Sequence, residues 1–321
     1  MVTPPRSDSS PAAVTRKPFS PARPSFLGVI GALALVSIAF GGNFLAIRIV
    51  VHLLPPFSLQ AIRFLTAGVV LYGIAAYRTS TPKPNPRQWR AAFIGGGFLL
   101  LGGQGGVSWS EQYVSAGIGA LLVATVPLWV AIFGAVALQE RIRPLGIVGI
   151  ALGFIGLIPI VLPHGTSSSG ATALAILALA SISWSVGSIF GARVRVHDDA
   201  FVATAMQLLT GGVLLSVAAL ITGEPDRIAW SAIDSSVLWG MAYLILIGGV
   251  IGYAAYVWLL KAAPPSIAAM FAYLAPIVTL FLGFLLHEET LATMTIVGAL
   301  VILVGVALVI VTRNSEISGN Q

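Results

Sequence analysis

The chain has 321 residues, of which 57% are hydrophobic and 9% charged, with a formal net charge of +6 and no cysteine. Soluble domains carry roughly a quarter of their residues as charges, and the 17 basic and 11 acidic residues here are too few to coat a water-soluble fold of this size. The composition therefore excludes a soluble globule, and the lack of cysteine excludes disulfide frameworks and thiolate metal or redox centres. The positive charge falls in short clusters between apolar runs, which is the pattern of membrane topology. Membrane lipid is thus an expected partner and nucleic acid is not.

In chain order, residues 1–25 hold six prolines, five serines and four basic residues and read as a disordered cytoplasmic tail. No cleavable leader is expected, because the first apolar run is as long as a bilayer span and longer than a signal h-region. Runs of span length are predicted at 26–48, 57–77, 90–110, 116–138, 144–162, 171–191, 200–221, 236–260, 266–286 and 290–311. They are continuous and rich in Ala, Leu and Gly, whereas the strands of a membrane barrel need only about 9 to 11 alternating residues. The punctuation between them is short: Pro55-Pro56, Pro82 to Pro86, Pro163 to Gly170 and Pro264-Pro265.

With the amino end inside, the cytoplasmic segments hold Arg78, Lys83, Arg87, Arg90, Arg141, Arg143, Arg193, Arg195, Lys261 and Arg313 besides the tail. The other side holds Arg227, with Arg48 near a helix end and Arg63 inside a helix. Both termini are therefore predicted to be cytoplasmic.

An internal repeat relates the two halves. A shift of 144 lays Leu65-Thr66-Ala67-Gly68 on Leu209-Thr210-Gly211-Gly212 and Phe40 on Trp184. A shift of 149 lays Pro127 on Pro276, Glu140 on Glu289, Gly149 on Gly298 and Gly156 on Gly305. Five spans per copy invert the second copy relative to the first, a construction that lets a midplane site open to either side. The predicted fold is an all-α membrane protein of ten transmembrane helices in two inverted five-helix repeats, 26–162 and 171–311, followed by a cytoplasmic tail at 312–321.

Arg63 lies inside the second span, where a charge is costly unless it pairs, faces water or snorkels. It is a candidate for meeting a substrate's anionic group or carbonyl, or else a clamp on helix-end carbonyls or on Glu111. Its repeat partner is Gln207. Asn43, Gln104, Ser185, Ser188 and Gln207 are polar groups within spans, able to bond a ligand or a neighbouring helix. Trp184 and Tyr273 are deep aromatics suited to a cavity wall, while Trp109 and Trp258 read as interface anchors. Pro127 and Pro276 each remove a helical hydrogen bond at matched positions and are candidate hinges. Gly102-x-x-x-Gly106, Gly149-x-x-x-Gly153 and Gly248-x-x-x-Gly252 allow close helix approach.

No phosphate-binding Gly-x-x-x-x-Gly-Lys-Ser/Thr loop is present. His52, His164, His197 and His287 stand singly, without metal-ligand spacing. No cofactor, metal or catalytic group is expected, and no buried acid for proton coupling is evident.

Certain stretches resemble the EamA-type transporters of the drug/metabolite transporter superfamily, and more narrowly their YedA-like exporter branch. They are Phe40-Gly41-Gly42-Asn43-Phe44, Pro56-Phe57 with Arg63-Phe64-Leu65, Ala124-Thr125-Val126-Pro127 ending at Glu140-Arg141, Ser183-Trp184-Ser185-Val186-Gly187-Ser188, and Tyr273-Leu274-Ala275-Pro276 ending at Glu288-Glu289. The resemblance spans about residues 26–311. It implies a central cavity lined by helices 1–4 and 6–9, with export of small metabolites or toxic compounds. Two departures stand out: Phe40 where such proteins commonly have Trp, and His287-Glu288-Glu289-Thr290 after the ninth span.

The resulting expectation is a bacterial inner-membrane, multi-pass secondary transporter. It exports a small-molecule substrate by alternating access, and a homodimer is compatible with the sequence. A passive channel and a membrane-embedded lipid-modifying enzyme are the alternatives.

Overall fold

The computed structural model describes residues 26–78, 83–138, 142–164, 167–228, 230–263, 270–286 and 293–319. Within them every regular element is helical: α1 (Phe26–Val51), α2 (Pro56–Arg78), α3 (Pro86–Gly96), α4 (Gly106–Ser110), α5 (Ala116–Val123), α6 (Val126–Leu138), α7 (Pro144–His164), α8 (Ser168–Arg193), α9 (Ala200–Ile221), α10 (Ser235–Ala242), α11 (Gly252–Ala262), α12 (Phe271–Leu285) and α13 (Thr293–Gly319). A nine-residue π-helix, Gly97–Gly105, joins α3 to α4, and another, Tyr243–Ile251, joins α10 to α11. Eight of the resulting rods are long and apolar enough to cross a membrane, while Pro144–Ile160 and Phe271–Leu285 are shorter apolar helices. Large apolar side chains such as Val69, Ile155, Val213, Leu300 and Val304 stay exposed on their outer faces, as expected where lipid replaces water as solvent.

Local chemistry explains where the rods begin. The third rod starts at Pro86, four residues before the predicted boundary. There Asn85 and Gln88 form a reciprocal capping box, with Asn85 accepting from the Gln88 N–H at 3.0 Å and Gln88 from the Asn85 N–H at 2.8 Å. Ser167 caps α8 through the Gly170 N–H at 3.1 Å, so that rod also starts early. The predicted starts at 266 and 290 lie outside the described residues, as do residues 1–25 and Glu140, Arg141, His287, Glu288 and Glu289.

Two pairs of rods meet through reciprocal contacts. A Cβ at Gly149 would lie 2.6 Å from the Gly305 carbonyl oxygen, and one at Gly305 would lie 2.5 Å from that of Gly149. Farther along the same pair, a Cβ at Gly156 would lie 2.9 Å from the Gly298 oxygen, and one at Gly298 2.6 Å from the Gly156 oxygen. The order of these contacts makes α7 and α13 antiparallel, with backbones touching where only glycine fits. The α2–α9 pair repeats the pattern with Gly68 against Leu209 and Gly212 against Leu65.

The turns Val51–Phe57, Trp109–Tyr113 and Thr222–Arg227 gather at one end around a surface pocket of about 280 Å³. At the opposite end Ala75, Ala91, Val196 and Val202 pack together. The first end carries an unusual cap. The α9 N-terminus is capped locally, since Asp199 accepts from the Phe201 and Val202 N–H groups at 2.8 and 3.2 Å. In α2 the position 144 residues earlier is Pro55, which has no side-chain acceptor. Glu224, 1% exposed, fills that role from the far end of α9, accepting from Phe57 and Ser58 at 3.2 and 2.7 Å.

Glu224→Ala would orphan two buried donors at the positive end of a helix. It is expected to cost about 1 to 3 kcal/mol, with Glu224→Gln milder, as read by thermal unfolding in detergent. Equal stability of all three proteins would remove this role for Glu224.

Candidate functional site

Each π-helix contains a pair of adjacent glycines, Gly102-Gly103 and Gly248-Gly249. Such helices are rare, are usually single-turn bulges and concentrate at functional sites, so two of nine residues each point to the regions they border. The segment Tyr243–Ile251 lies against α1. Gly42 leaves room for the Tyr243 ring, whose hydroxyl donates to the Ile38 carbonyl at 2.7 Å, and Gly248 leaves room for the Asn43 carboxamide.

Beside this segment, α2 brings in Arg63, 2% exposed. Its guanidinium lies 4.9 Å from the Phe64 ring centroid, and Nη1 donates to Gln60 Oε1 at 3.4 Å. Tyr243, Tyr253 and Glu111 are close enough to act on its charge. Burying an ionised guanidinium is expensive in lipid or protein, yet Arg63 Nε and Gln60 Nε2 make no protein hydrogen bond here. Asn43 Oδ1 and Ser108 Oγ are likewise buried and unbonded. Native interiors rarely leave such groups unsatisfied, so these groups have hydrogen-bonding capacity for water or a solute.

Glu111 is the residue that the sequence reading passes over as a helix-end acid. It is 0% exposed. It ends α4 as the C-cap, its carbonyl accepts from Arg48 Nη1, and a Cβ at Gly119 of α5 would lie 3.0 Å from its Oε1. The clamp on a helix-end carbonyl is thus made by Arg48. The signal available in the sequence was Gly119, whose lack of a side chain makes the space.

The second group of candidates borders the other π-helix. Trp184 packs its ring on Gly103, and Gln207 lies over Gly95 with its Nε2 2.9 Å from where a Cβ would stand. Gln207 therefore faces α3, and Gln104 is half-buried within the π-helix. Ser185 donates to the Val126 carbonyl at 3.2 Å and to that of Ser181 at 2.7 Å. Ser188 donates to Trp184 at 2.8 Å within its own helix, and Tyr273 donates to the Val306 carbonyl of α13 at 3.0 Å. These hydroxyls are engaged in packing, whereas Arg63 and Asn43 keep unused bonding capacity.

The two prolines behave differently. The rod of Pro127 is interrupted at Ala124-Thr125, where Thr125 Oγ1 donates to the Leu122 carbonyl at 2.6 Å. Pro276 lies inside a continuous α12, beside which Thr279 donates to the Gly41 carbonyl at 2.8 Å.

Outside the spans, the exposed Asp234 carboxyl at the start of α10 is held below its ordinary pKa by a hydrogen bond from the Ser236 hydroxyl. Among the described residues no group of His, Asp and Glu is placed to hold a metal.

A family model of the EamA-like transporters matches residues 27–162 and again residues 171–311. The chain belongs to the EamA-like transporter family. It is a multi-pass membrane protein and a transporter by that membership. The inner membrane transporter YedA of Escherichia coli K12 is 37% identical over 287 residues, covering 88% of this chain and 90% of that protein. The transporter YoaV of Bacillus subtilis is 24% identical over 283 residues, covering 87% and 94%. A crystal structure that is 20% identical superposes with a TM-score of 0.62 over 91% of this chain and all of that one, a likeness of fold.

Proposed function

We propose that this protein is a secondary transporter of the bacterial inner membrane, built from ten spans in two inverted halves, 26–162 and 171–311, with both termini cytoplasmic. It exports small, neutral or zwitterionic, partly apolar solutes by alternating access. The observation that carries this reading is the reciprocity of the helix contacts. Gly149 on Gly305 becomes Gly298 on Gly156 under the 149-residue shift, and Gly68 on Leu209 becomes Gly212 on Leu65 under the 144-residue shift. Contacts that map onto themselves in this way are what a two-fold relation between inverted copies requires.

The orientation is supported by charge: Arg78, Lys83, Arg87, Arg90, Arg193 and Arg195 belong to the end opposite the pocket. The inner-membrane assignment follows the printed name of the Escherichia coli relative. In this reading a chamber around Arg63 and Asn43 receives the solute, Trp184 and the π-helix Gly97–Gly105 form its counterpart, and the break before Pro127 serves as a hinge with Pro276.

Proteoliposomes loaded with a small-metabolite extract test the proposal. Protein-dependent release of a subset of solutes without ATP, followed by mass spectrometry, is expected. Release no faster than from protein-free liposomes would overturn it.

A further inference from the structure

We infer that Phe40, Tyr253, Tyr256 and Phe271 form the inner gate of the transport path. These four rings make a constriction that must part for a solute to pass between the chamber of Arg63 and Asn43 and the end opposite the pocket. The inference rests on the transport reading above, in which that end is cytoplasmic.

The side chains come from three helices and from both halves of the chain: Phe40 from α1, Tyr253 and Tyr256 from α11, and Phe271 from α12. Phe40 is the hub. Its ring centroid lies 5.6 Å from that of Tyr253, 6.2 Å from Tyr256 and 5.5 Å from Phe271, and Tyr256 lies 5.2 Å from Phe271. Interplanar angles of 57° to 74° make these edge-to-face or tilted contacts, at spacings that leave no passage between the rings. A Cβ at Gly252 would stand 3.2 Å from Phe40 Cε1, so the missing side chain there lets the ring lie against α11.

The depth of the cluster fits a gate. Val51 and Phe57 line the pocket, at the turn between α1 and α2. Counted inward from that turn at about 1.5 Å per residue, Arg63 lies roughly 9 Å along α2 and Phe40 roughly 16 Å along α1. The rings therefore sit beyond the chamber as seen from the pocket. Farther on, Leu33, Leu259, Ala263 and Leu274 pack together and complete the seal.

Two features separate these rings from ordinary core. Tyr253 and Tyr256 are only half-buried, and among the described residues neither hydroxyl makes a hydrogen bond, whereas those of Tyr243 and Tyr273 donate to the Ile38 and Val306 carbonyls. Hydroxyls without a partner at span depth are costly, and they are available to the polar groups of a passing solute. The second feature is asymmetry. The repeat shifts lay Phe40 on Trp184, Tyr256 on Val107 and Phe271 on Leu122, and Val107 and Leu122 belong to a buried aliphatic core. Inverted copies place equivalent positions toward opposite faces, so the ring constriction belongs to one face alone.

The chain has no cysteine, so a single introduced thiol reports access. Asn43→Cys places one three residues from Phe40, on the chamber side of the rings. In inverted membrane vesicles, which expose the cytoplasmic face, a membrane-impermeant methanethiosulfonate is expected to modify Asn43→Cys slowly and Asn43→Cys/Phe40→Ala much faster. Adding Phe133→Ala instead, which removes a ring stacked on Trp129, is expected to leave the slow rate, and reagent on the other face is expected to show no gain. Equal rates with and without Phe40, the same gain in Phe133→Ala, or an equal gain from both faces overturns the gate. Should the Phe40→Ala protein not fold, Phe271→Ala removes a ring from α12 and must give the same one-sided gain; its absence has the same consequence.

A reducible cross-link between Phe40→Cys and Phe271→Cys is expected to stop release from the extract-loaded proteoliposomes until a reductant breaks it. Release unaffected by the cross-link defeats the gate while leaving the transport reading intact. Absence of any protein-dependent release by the wild type defeats the transport reading instead.

Discussion

Gly305→Val is expected to abolish folded protein, and Gly305→Ala to destabilise it severely. In an exposed helix, glycine to alanine gains about 1 kcal/mol of propensity, so available space decides the sign of the change. A Cβ at Gly305 would stand 2.5 Å from both the Gly149 carbonyl oxygen and the Gly153 nitrogen. Both are backbone atoms that cannot rotate away, so α7 and α13 must separate along their length. Overpacking a tight core costs about 1 to 3 kcal/mol or more, which exceeds the propensity gain, and two branched methyl groups at the same point exceed it further. Gly31 and Gly73 have nothing within 4 Å of an added Cβ, so alanine there is expected to be neutral or stabilising. Melting midpoints of the purified variants decide the matter. Gly305→Ala as stable as Gly31→Ala would mean that the close approach of α7 and α13 does not hold.

The second large effect is expected at Arg63. Arg63→Met keeps much of the side-chain volume and removes the charge, so two consequences separate. Stability is expected to fall, because the fully buried Glu111 loses a cation whose charge acts on it, and a buried charge that loses compensation costs up to roughly 3 to 5 kcal/mol. Removing both charges in Arg63→Met/Glu111→Gln is expected to recover most of that loss, since apolar or neutral replacements of buried ion pairs are often tolerated. Transport is expected to fall in the single variant and to stay low in the double one, because restored packing does not restore the bonding capacity of Arg63. Additive stability costs in the double-mutant cycle would show that the two groups do not interact. Full release activity in Arg63→Met would remove Arg63 from the solute path.

The same contrast shows how much of the site is legible in a linear chain. Arg63 stands out because one charge among apolar neighbours is visible without knowledge of its partners. Glu111 does not stand out: it follows Ser110 at the end of a span, and Arg48 and Gly119, which pack against it, lie on two other helices. Ser185 and Tyr273 look like candidate ligand groups in sequence, and only the carbonyls of Val126 and Val306 beside them reveal that their hydroxyls are engaged in packing. The glycine-rich stretches mark close approach, but the wider π-turns they form depend on the neighbouring helices that fill them.

Helix positions follow from the chain alone, because a segment in lipid must satisfy its backbone internally and therefore announces itself as a continuous apolar run. Cap residues such as Asn85 and Ser167 refine the boundaries for the same local reason. What only the tertiary structure decides is which polar groups meet. Glu224 caps a helix that begins 168 residues earlier at Pro56, and the Glu111 carbonyl at the end of α4 meets Arg48 of α1. No local periodicity encodes such pairings; they arise when glycine-lined backbones pack closely enough to enclose charges that a single helix would leave in lipid or water.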